Sequence, residues 1–241
     1  EFRRVLFRSG GFRLDGLGNH LDLAGMQQLS MFIHYKQNND DRPLITKLLR
    51  QDLYRKVYVA HIRTILEEVF LSGRFAERVR ELHEQLRPLV AEDDLKLYSE
   101  EAFRQSLTQS TDAGGVEVVG LLELMNGRVK YLSEHPLMQK EAPRINRVNV
   151  AETESAEAFC FTAEAEGAER LWLMQRDGPF TNFSRFAMEP DTAGKGSWSL
   201  VLPVARDAQY YFIAEGKTNA SLLPARASFE AFTLSEQLEK Q

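Results

Sequence analysis

Between residues 42 and 132 apolar side chains recur every three to four positions, and beyond residue 143 the recurrence shortens to two. The longer period lines one face of a helix; the shorter sends neighbours to opposite faces of a strand. Pro43 suits a first helical turn, and Leu44, Ile45, Leu48 and Leu49 then share a face. Asp52, a short carboxylate before an apolar run, is expected to cap a long helix from about Leu53 to Phe70. That helix should bury Tyr54, Tyr58, Ile62, Ile65, Leu66 and Val69 and end at Ser72-Gly73. A third helix carries Phe75, Val79, Leu82 and Leu86 and should stop before Pro88, since proline lacks an amide donor and crowds the preceding turn. Weaker helical patterns run around Glu100 to Ser106 and from Val116 to Leu132, parted by the turn Thr111-Asp112-Ala113-Gly114-Gly115. This half reads as all-helical.

The second half follows the polar, proline-bearing stretch Glu134-His135-Pro136 to Ala142-Pro143, which has the composition of a domain boundary. Ile145, Arg147 and Asn149 alternate with Asn146, Val148 and Val150. Ala158 to Phe161, Leu171 to Met174, Trp198 to Val204, Tyr210 to Ala214 and Phe229 to Leu234 supply further short runs. Asp-Gly, Gly-Lys-Gly and Arg-Asp turns separate them, so the pattern predicts a small antiparallel sandwich of about 95 residues.

Composition narrows the function only by exclusion. The chain has 241 residues, 43% hydrophobic and 27% charged, within the range of ordinary globular proteins. Its net charge is -5 and it has no basic tail, which argues against a nucleic-acid partner. No run approaches the roughly 18 apolar residues of a membrane span. Cys160 is the sole cysteine, so neither an intrachain disulfide nor a thiolate metal cage is available. It lies in Ala158-Phe159-Cys160-Phe161 and reads as an inert core thiol.

The residue clusters that invite a chemical reading each have a simpler one. Gly10-Gly11, Gly16 and Gly18 fit neither phosphate-loop spacing and precede no lysine. Thr192-Ala193-Gly194-Lys195-Gly196-Ser197 lies between two strand patterns and reads as a hairpin turn. Asp15, Asn19, His20 and Asp22 hold the densest set of oxygen and nitrogen ligands and could share a Mg²⁺ shell, yet an Asx-rich loop in which Asp15 and Asn19 bond their own backbone explains them better. His34, His61 and His83 lack a second histidine at ligand spacing. Asn182-Phe183-Ser184 and Asn219-Ala220-Ser221 match the glycosylation acceptor pattern, a short match that arises by chance. Trp172, Trp198, Tyr210 and Tyr211 could build a sugar platform, but strand alternation sends half of such residues to the core. No residue is therefore assigned as catalytic, cofactor-binding or metal-ligating.

One resemblance emerges from the order of short motifs. Arg42-Pro43-Leu44-Ile45, Leu53-Tyr54-Arg55 with Tyr58, Val69-Phe70, Leu86-Arg87-Pro88-Leu89-Val90 and finally Arg128, Tyr131 and Leu132 resemble the region after the active site in CotH-type proteins. Ala142-Pro143-Arg144-Ile145 and Tyr210-Tyr211-Phe212-Ile213-Ala214 resemble the sandwich that follows it in bacterial members. The family includes spore coat and fungal surface proteins. The resemblance implies an atypical kinase-like fold, ATP and Mg²⁺ as cofactors, and Ser/Thr of secreted or coat proteins as acceptors. It also implies an extracytoplasmic setting. The family's Pro-Trp-Asp motif does not occur here, and phosphoryl transfer needs a nucleotide cradle, carboxylates for the cation and a base. Residues 1–41 offer none of these.

The expected architecture is α+β by segregation. Residues 1–9, where Val5-Leu6-Phe7-Arg8-Ser9 reads as a translated sequencing adaptor, are expected to be foreign; residues 10–41 form a loop-rich remnant of a kinase-like core. Residues 42–133 are the helical C-terminal part of that fold, 134–144 a linker, 145–234 an immunoglobulin/fibronectin-like sandwich and 235–241 a tail. The function expected is that of a truncated CotH-like kinase, inactive by itself, partnered by a missing N-terminal core and by a secreted or coat substrate. The alternative is a non-catalytic surface or matrix protein that binds partners or glycans through the sandwich.

Overall fold

The structure is a computed structural model, and it describes residues 21–32, 43–96, 98–112, 117–155, 158–191 and 196–239. These form two compact units. One comprises 21–32 and Ile65–His135; the other comprises 43–64 and Pro136 onward. Each unit is thus drawn from two separate stretches of chain.

The first unit is mainly helical. Asp22 caps the short helix α1 (Leu23–Gln27), its Oδ1 accepting the Gly25 amide at 2.7 Å. Helices α2 (Pro43–Arg50) and α3 (Asp52–Ile65) come next in the chain and fall in the second unit, apart from Ile65 itself. A π-helical turn, Leu66–Leu71, and Gly73 at φ +84° then lead into α4 (Arg74–Glu92). α5 (Glu100–Gln105) starts at Ser99, whose hydroxyl accepts the Ala102 amide, and joins α4 where the His83 ring stacks on Phe103 at 4.2 Å. α6 (Leu121–Ser133) carries α1: Gln27 donates to the Glu123 carbonyl at 3.0 Å, and Arg128 donates to the Gln27 and Leu29 carbonyls. Among the described residues, buried apolar side chains here are Met31, Leu66, Leu122 and Leu132.

Three expectations for these helices need correction. α4 continues through Pro88 to Glu92. Position 88 is exposed, so the Glu84 carbonyl that loses its donor can be hydrated and the cost stays small enough to tolerate. The pattern read as a helix from Val116 begins only at Leu121; Thr111–Asp112 (β1) pairs antiparallel with Glu117–Val118 (β2) before it. The helical half is therefore not purely helical. Residues 113–116 lie outside the described residues, so the glycines of that turn do too.

In the second unit α7 (Pro136–Gln139) leads to two antiparallel sheets. The first has the order β3-β4-β8-β7, from Arg144–Glu152, Ala158–Glu166, Ser197–Pro203 and Glu189–Pro190. The second has the order β10-β9-β5-β6, from Ala220–Leu223, Gln209–Glu215, Arg170–Arg176 and Ser184–Ala187, with β11 (Phe232–Thr233) also on β9. A short helix, α8 (Leu234–Leu238), follows. Val150, Phe159, Phe161 and Ala163 from the first sheet share one core with Leu171, Leu173, Tyr210 and Phe212 from the second. The fold is thus α+β.

A bulge between Ile145 and Arg147 shifts the register of β3, so Ile145, Val148 and Val150 all face the core despite their odd spacing. Strict alternation could not anticipate this. Phe229 was expected in the last strand but is fully exposed, and pairing is confined to Phe232–Thr233. Strands β6, β7 and β10 carry too few residues to register as a period. No described helix is long and apolar enough to cross a membrane.

Candidate functional site

Among the described residues, those with apparent chemistry in the sequence do not converge. Asp15, Asn19, His20 and His34, the early glycines and 192–195 lie outside the described residues. Asp22 is spent on a helix cap. His83 Nε2 lies 2.9 Å from the Phe103 carbonyl, a role in packing α4 on α5. Cys160, expected in the core, is half-exposed on the opposite face of β4 from Phe159 and Phe161, because alternation puts it there. Asn219 is only 2% exposed and donates to the Lys140 and Glu141 carbonyls at 3.0 and 3.4 Å, so it is no glycan acceptor in the folded chain. The aromatic residues divide: Tyr210 faces the core between the sheets, Tyr211 and Trp172 the opposite face, and Trp198 packs on the inter-sheet core.

Among the described residues, the densest polar arrangement was not legible as a motif. It lies on the second sheet's outer face, which α3 covers through Ala60 and the partly buried Leu53 and Val57. Lys56, 5% exposed, places Nζ 2.9 Å from Glu215 Oε1 and 2.7 Å from Asp52 Oδ2. Glu215, 2% exposed, also accepts from Trp172 Nε1 at 3.0 Å and lies 3.4 Å from Arg170. The Arg185 guanidinium stands 4.6 Å from the centre of the Trp172 ring, a cation over its π-face.

This arrangement corrects the expected geometry of α3. Asp52 is the first helical residue, and its carboxylate binds Lys56 and Arg55 rather than the helix amides. Tyr54, Tyr58 and Ile65 are exposed, while Lys56, Val59 and Ala60 form the buried side. A stripe with a small residue lets the helix approach the sheet, and the lysine is tolerated because two carboxylates meet it. Burial by itself would lower the Lys56 pKa, but the bonds from Asp52 and Glu215 hold it above the ordinary lysine value. The Lys56 hydrogen bond in turn keeps Asp52 below the usual carboxylate range. Burial lowers His61 and raises Tyr210 and Tyr211, against Arg176 in the last case.

A shallow groove in the first unit is lined by Ser72, Gly73, Glu77, Arg80 and Glu81. Its two carboxylates and single guanidinium are open to water.

Residues 16–132 match the family described as CotH kinase protein. The chain is CotH-like. No curated protein matches it. Among solved structures, a mutant pullulanase from Paenibacillus barengoltzii complexed with maltotetraose shares 13% identity, with a TM-score of 0.27. That likeness covers 32% of this chain and 12% of the pullulanase chain, and it carries no argument.

The CotH resemblance implies ATP and Mg²⁺, and the described residues do not fit them. Among the described residues no three His, Cys, Asp or Glu side chains are grouped to hold a metal ion. The groove at Gly73 would set Glu77 and Glu81 against polyphosphate. Asp52 and Glu215 are committed to Lys56. The CotH-like segment includes α3, so one half of the buried ion pair belongs to the family match and the other to the sheets. Two signals could have exposed the pair. A lone glutamate ends the apolar run Tyr210–Ala214, and a lysine interrupts the apolar side of a helix at 56.

Proposed function

We propose that this chain serves a CotH-like phosphotransferase as its helical support and attached β-rich region, with the phosphoryl-transfer groups supplied by residues other than the described ones. The phosphotransferase's donor would be ATP with Mg²⁺ and its acceptors Ser/Thr of secreted or coat proteins, as the resemblance implies. The helical elements would be the C-terminal part of a kinase-like fold and the two sheets an immunoglobulin-type companion. The family match over residues 16–132 is the observation that carries this reading. Two features support it: Asp22, Asp52 and Glu215 are engaged in a helix cap and in ion pairs, and apolar side chains such as Leu44 (70% exposed) stand ready to support a further layer.

The test is radiolabelled ATP turnover by the purified 241-residue chain with Mg²⁺ or Mn²⁺, using casein as a generic acceptor and the chain itself as a second. The expected result is no transfer above a heat-denatured control. Transfer that disappears when Glu77 or Glu81 is replaced would overturn the assignment of the described residues to support alone.

A further inference from the structure

The second unit takes α2 and most of α3 from residues 43–64, and its sheets, α7 and α8 from Pro136 onward, with 65–135 belonging elsewhere. No single continuous piece of chain contains it. Glu215, Tyr211, Ile213, Ala220 and Leu222 all lie on the sheet face that α3 covers. Stripped of the helix, this face would expose a wide apolar surface around a carboxylate placed to meet a cation. β9 shows the same dependence along its length: Tyr210, Phe212 and Ala214 face the inter-sheet core, while Tyr211 and Ile213 face the helix.

The helix has further anchors in this unit. Arg63 donates to the Leu137, Met138 and Lys140 carbonyls at 3.1 to 3.2 Å, satisfying groups that the end of α7 leaves without intrahelical donors. The Thr64 hydroxyl lies 3.5 Å from the Ala225 carbonyl. Lys56, Arg63 and Thr64 thus fix α3 to β9, to α7 and to the turn after β10.

We propose that the outer face of the β10-β9-β5-β6 sheet is an obligate docking surface for a lysine-bearing helix supplied by the same chain, with Glu215 reading Lys56. The sheets are accordingly an integral part of the CotH-like protein and not a detachable module, and residue 132, where the family match ends, is no folding boundary. Glu215 selects the register: a one-residue slip that brought Val57 to the carboxylate would leave a buried charge unpaired, and one that brought Arg55 would force a longer guanidinium into the space Lys56 fills. This inference does not depend on phosphoryl transfer and survives if that reading fails.

Hydrogen exchange on the full chain tests it. Lys56→Met or Glu215→Leu alone should lower amide protection in α3 and β9 together, on the order of 100-fold, because each breaks the buried pair and leaves Glu215 with only Trp172 and Arg170, or Lys56 with only Asp52. Combining the two should restore most of the loss. Protection lost in α3 while β9 and β5 keep theirs would overturn the proposal, as would additive losses in the double variant. Should the single variants fail to fold, a protease site inserted between Glu134 and His135 gives a second measurement. After cleavage the two pieces should co-elute in native buffer, and Lys56→Met should speed their separation. Release of the C-terminal piece as a monomer with unchanged tryptophan emission would refute obligate docking.

Discussion

Helix α4 and strand β9 bury their apolar residues in opposite degrees. α4 has 19 residues, a clear amphipathic pattern and not one buried side chain. β9 has seven residues, and every one from Tyr210 to Glu215 is buried. Period determines which face of an element is apolar; burial depends on what lies against that face. β9 has a layer on each side and so reads as a continuous apolar run, whereas α4 keeps Leu82, Leu86 and Leu89 exposed. A near-continuous run marks an element enclosed on two sides more reliably than a helical stripe marks one enclosed at all.

Truncating the enclosed element should have the largest effect. Phe212 is fully buried between the sheets, and Phe212→Ala should destabilise the second unit by about 3–5 kcal/mol through lost transfer energy and the cavity left behind. Both tryptophans, Trp172 and Trp198, belong to this unit, so emission during urea unfolding reports it selectively. A shift below about 1 kcal/mol would mean the site collapses freely and the core is loosely packed.

In the first unit the sensitive position is a close backbone approach. A Cβ on Gly120, the residue before α6, would sit 2.5 to 2.7 Å from Gln109 backbone atoms, which cannot swing away. The approach is held by the Leu121 and Leu122 amides, which donate to the Ser106 and Leu107 carbonyls at 3.0 and 2.8 Å. Gly120→Ala should cost about 1–3 kcal/mol in the helical circular-dichroism transition while leaving tryptophan emission unchanged. Equal loss in both signals would show that the units unfold as one and erase the contrast.

How far the sequence disclosed each region follows from the same physics. The strands around Leu171, Trp198 and Tyr210 and the helices around Leu82 and Phe103 were legible because each carries its own period. The bulge in β3 and the buried side of α3 were not. Both depend on a partner: β4 sets the shift at Ile145, and Glu215, 159 residues further on, makes Lys56 a buried residue. Tyr54 and Tyr58 look like better core residues than Lys56 and Ala60 by hydropathy alone. The likeness to CotH proteins was legible because ordered motifs survive where single residues are uninformative.

The pH response should sharpen the comparison, because the perturbed groups in question lie in the second unit. His61 is held below 6.5 by burial, so its contribution is present above that pH and is lost as pH falls through the lowered value. Asp52, depressed below 3.8 chiefly by the Lys56 hydrogen bond, adds a further loss in stronger acid. Burial raises Tyr210 and Tyr211 above 10.0. Lys56, where burial is outweighed by its carboxylates, is raised above 10.5. Contributions from these three are complete below their ordinary values and vanish as pH climbs through the raised ones. The urea midpoint read by tryptophan emission should therefore plateau between about pH 6.5 and 10 and fall on both sides. A maximum near pH 5, or a midpoint still rising above pH 10, would contradict this placement of charges.

The smallest effect should come from the residue that most resembles a core leucine in sequence. Leu86 continues the stripe of Phe75, Val79 and Leu82, and period alone would give its truncation a core-like cost of about 2–5 kcal/mol. It is 48% exposed, so little transfer energy is at stake and no closed cavity can form. Alanine also has a slightly better helix propensity than leucine, which offsets part of the remainder. Leu86→Ala should therefore change the helical transition by less than about 1 kcal/mol. A larger loss would mean that the exposed side of α4 is covered in solution, and α4 would then belong with β9 among the enclosed elements.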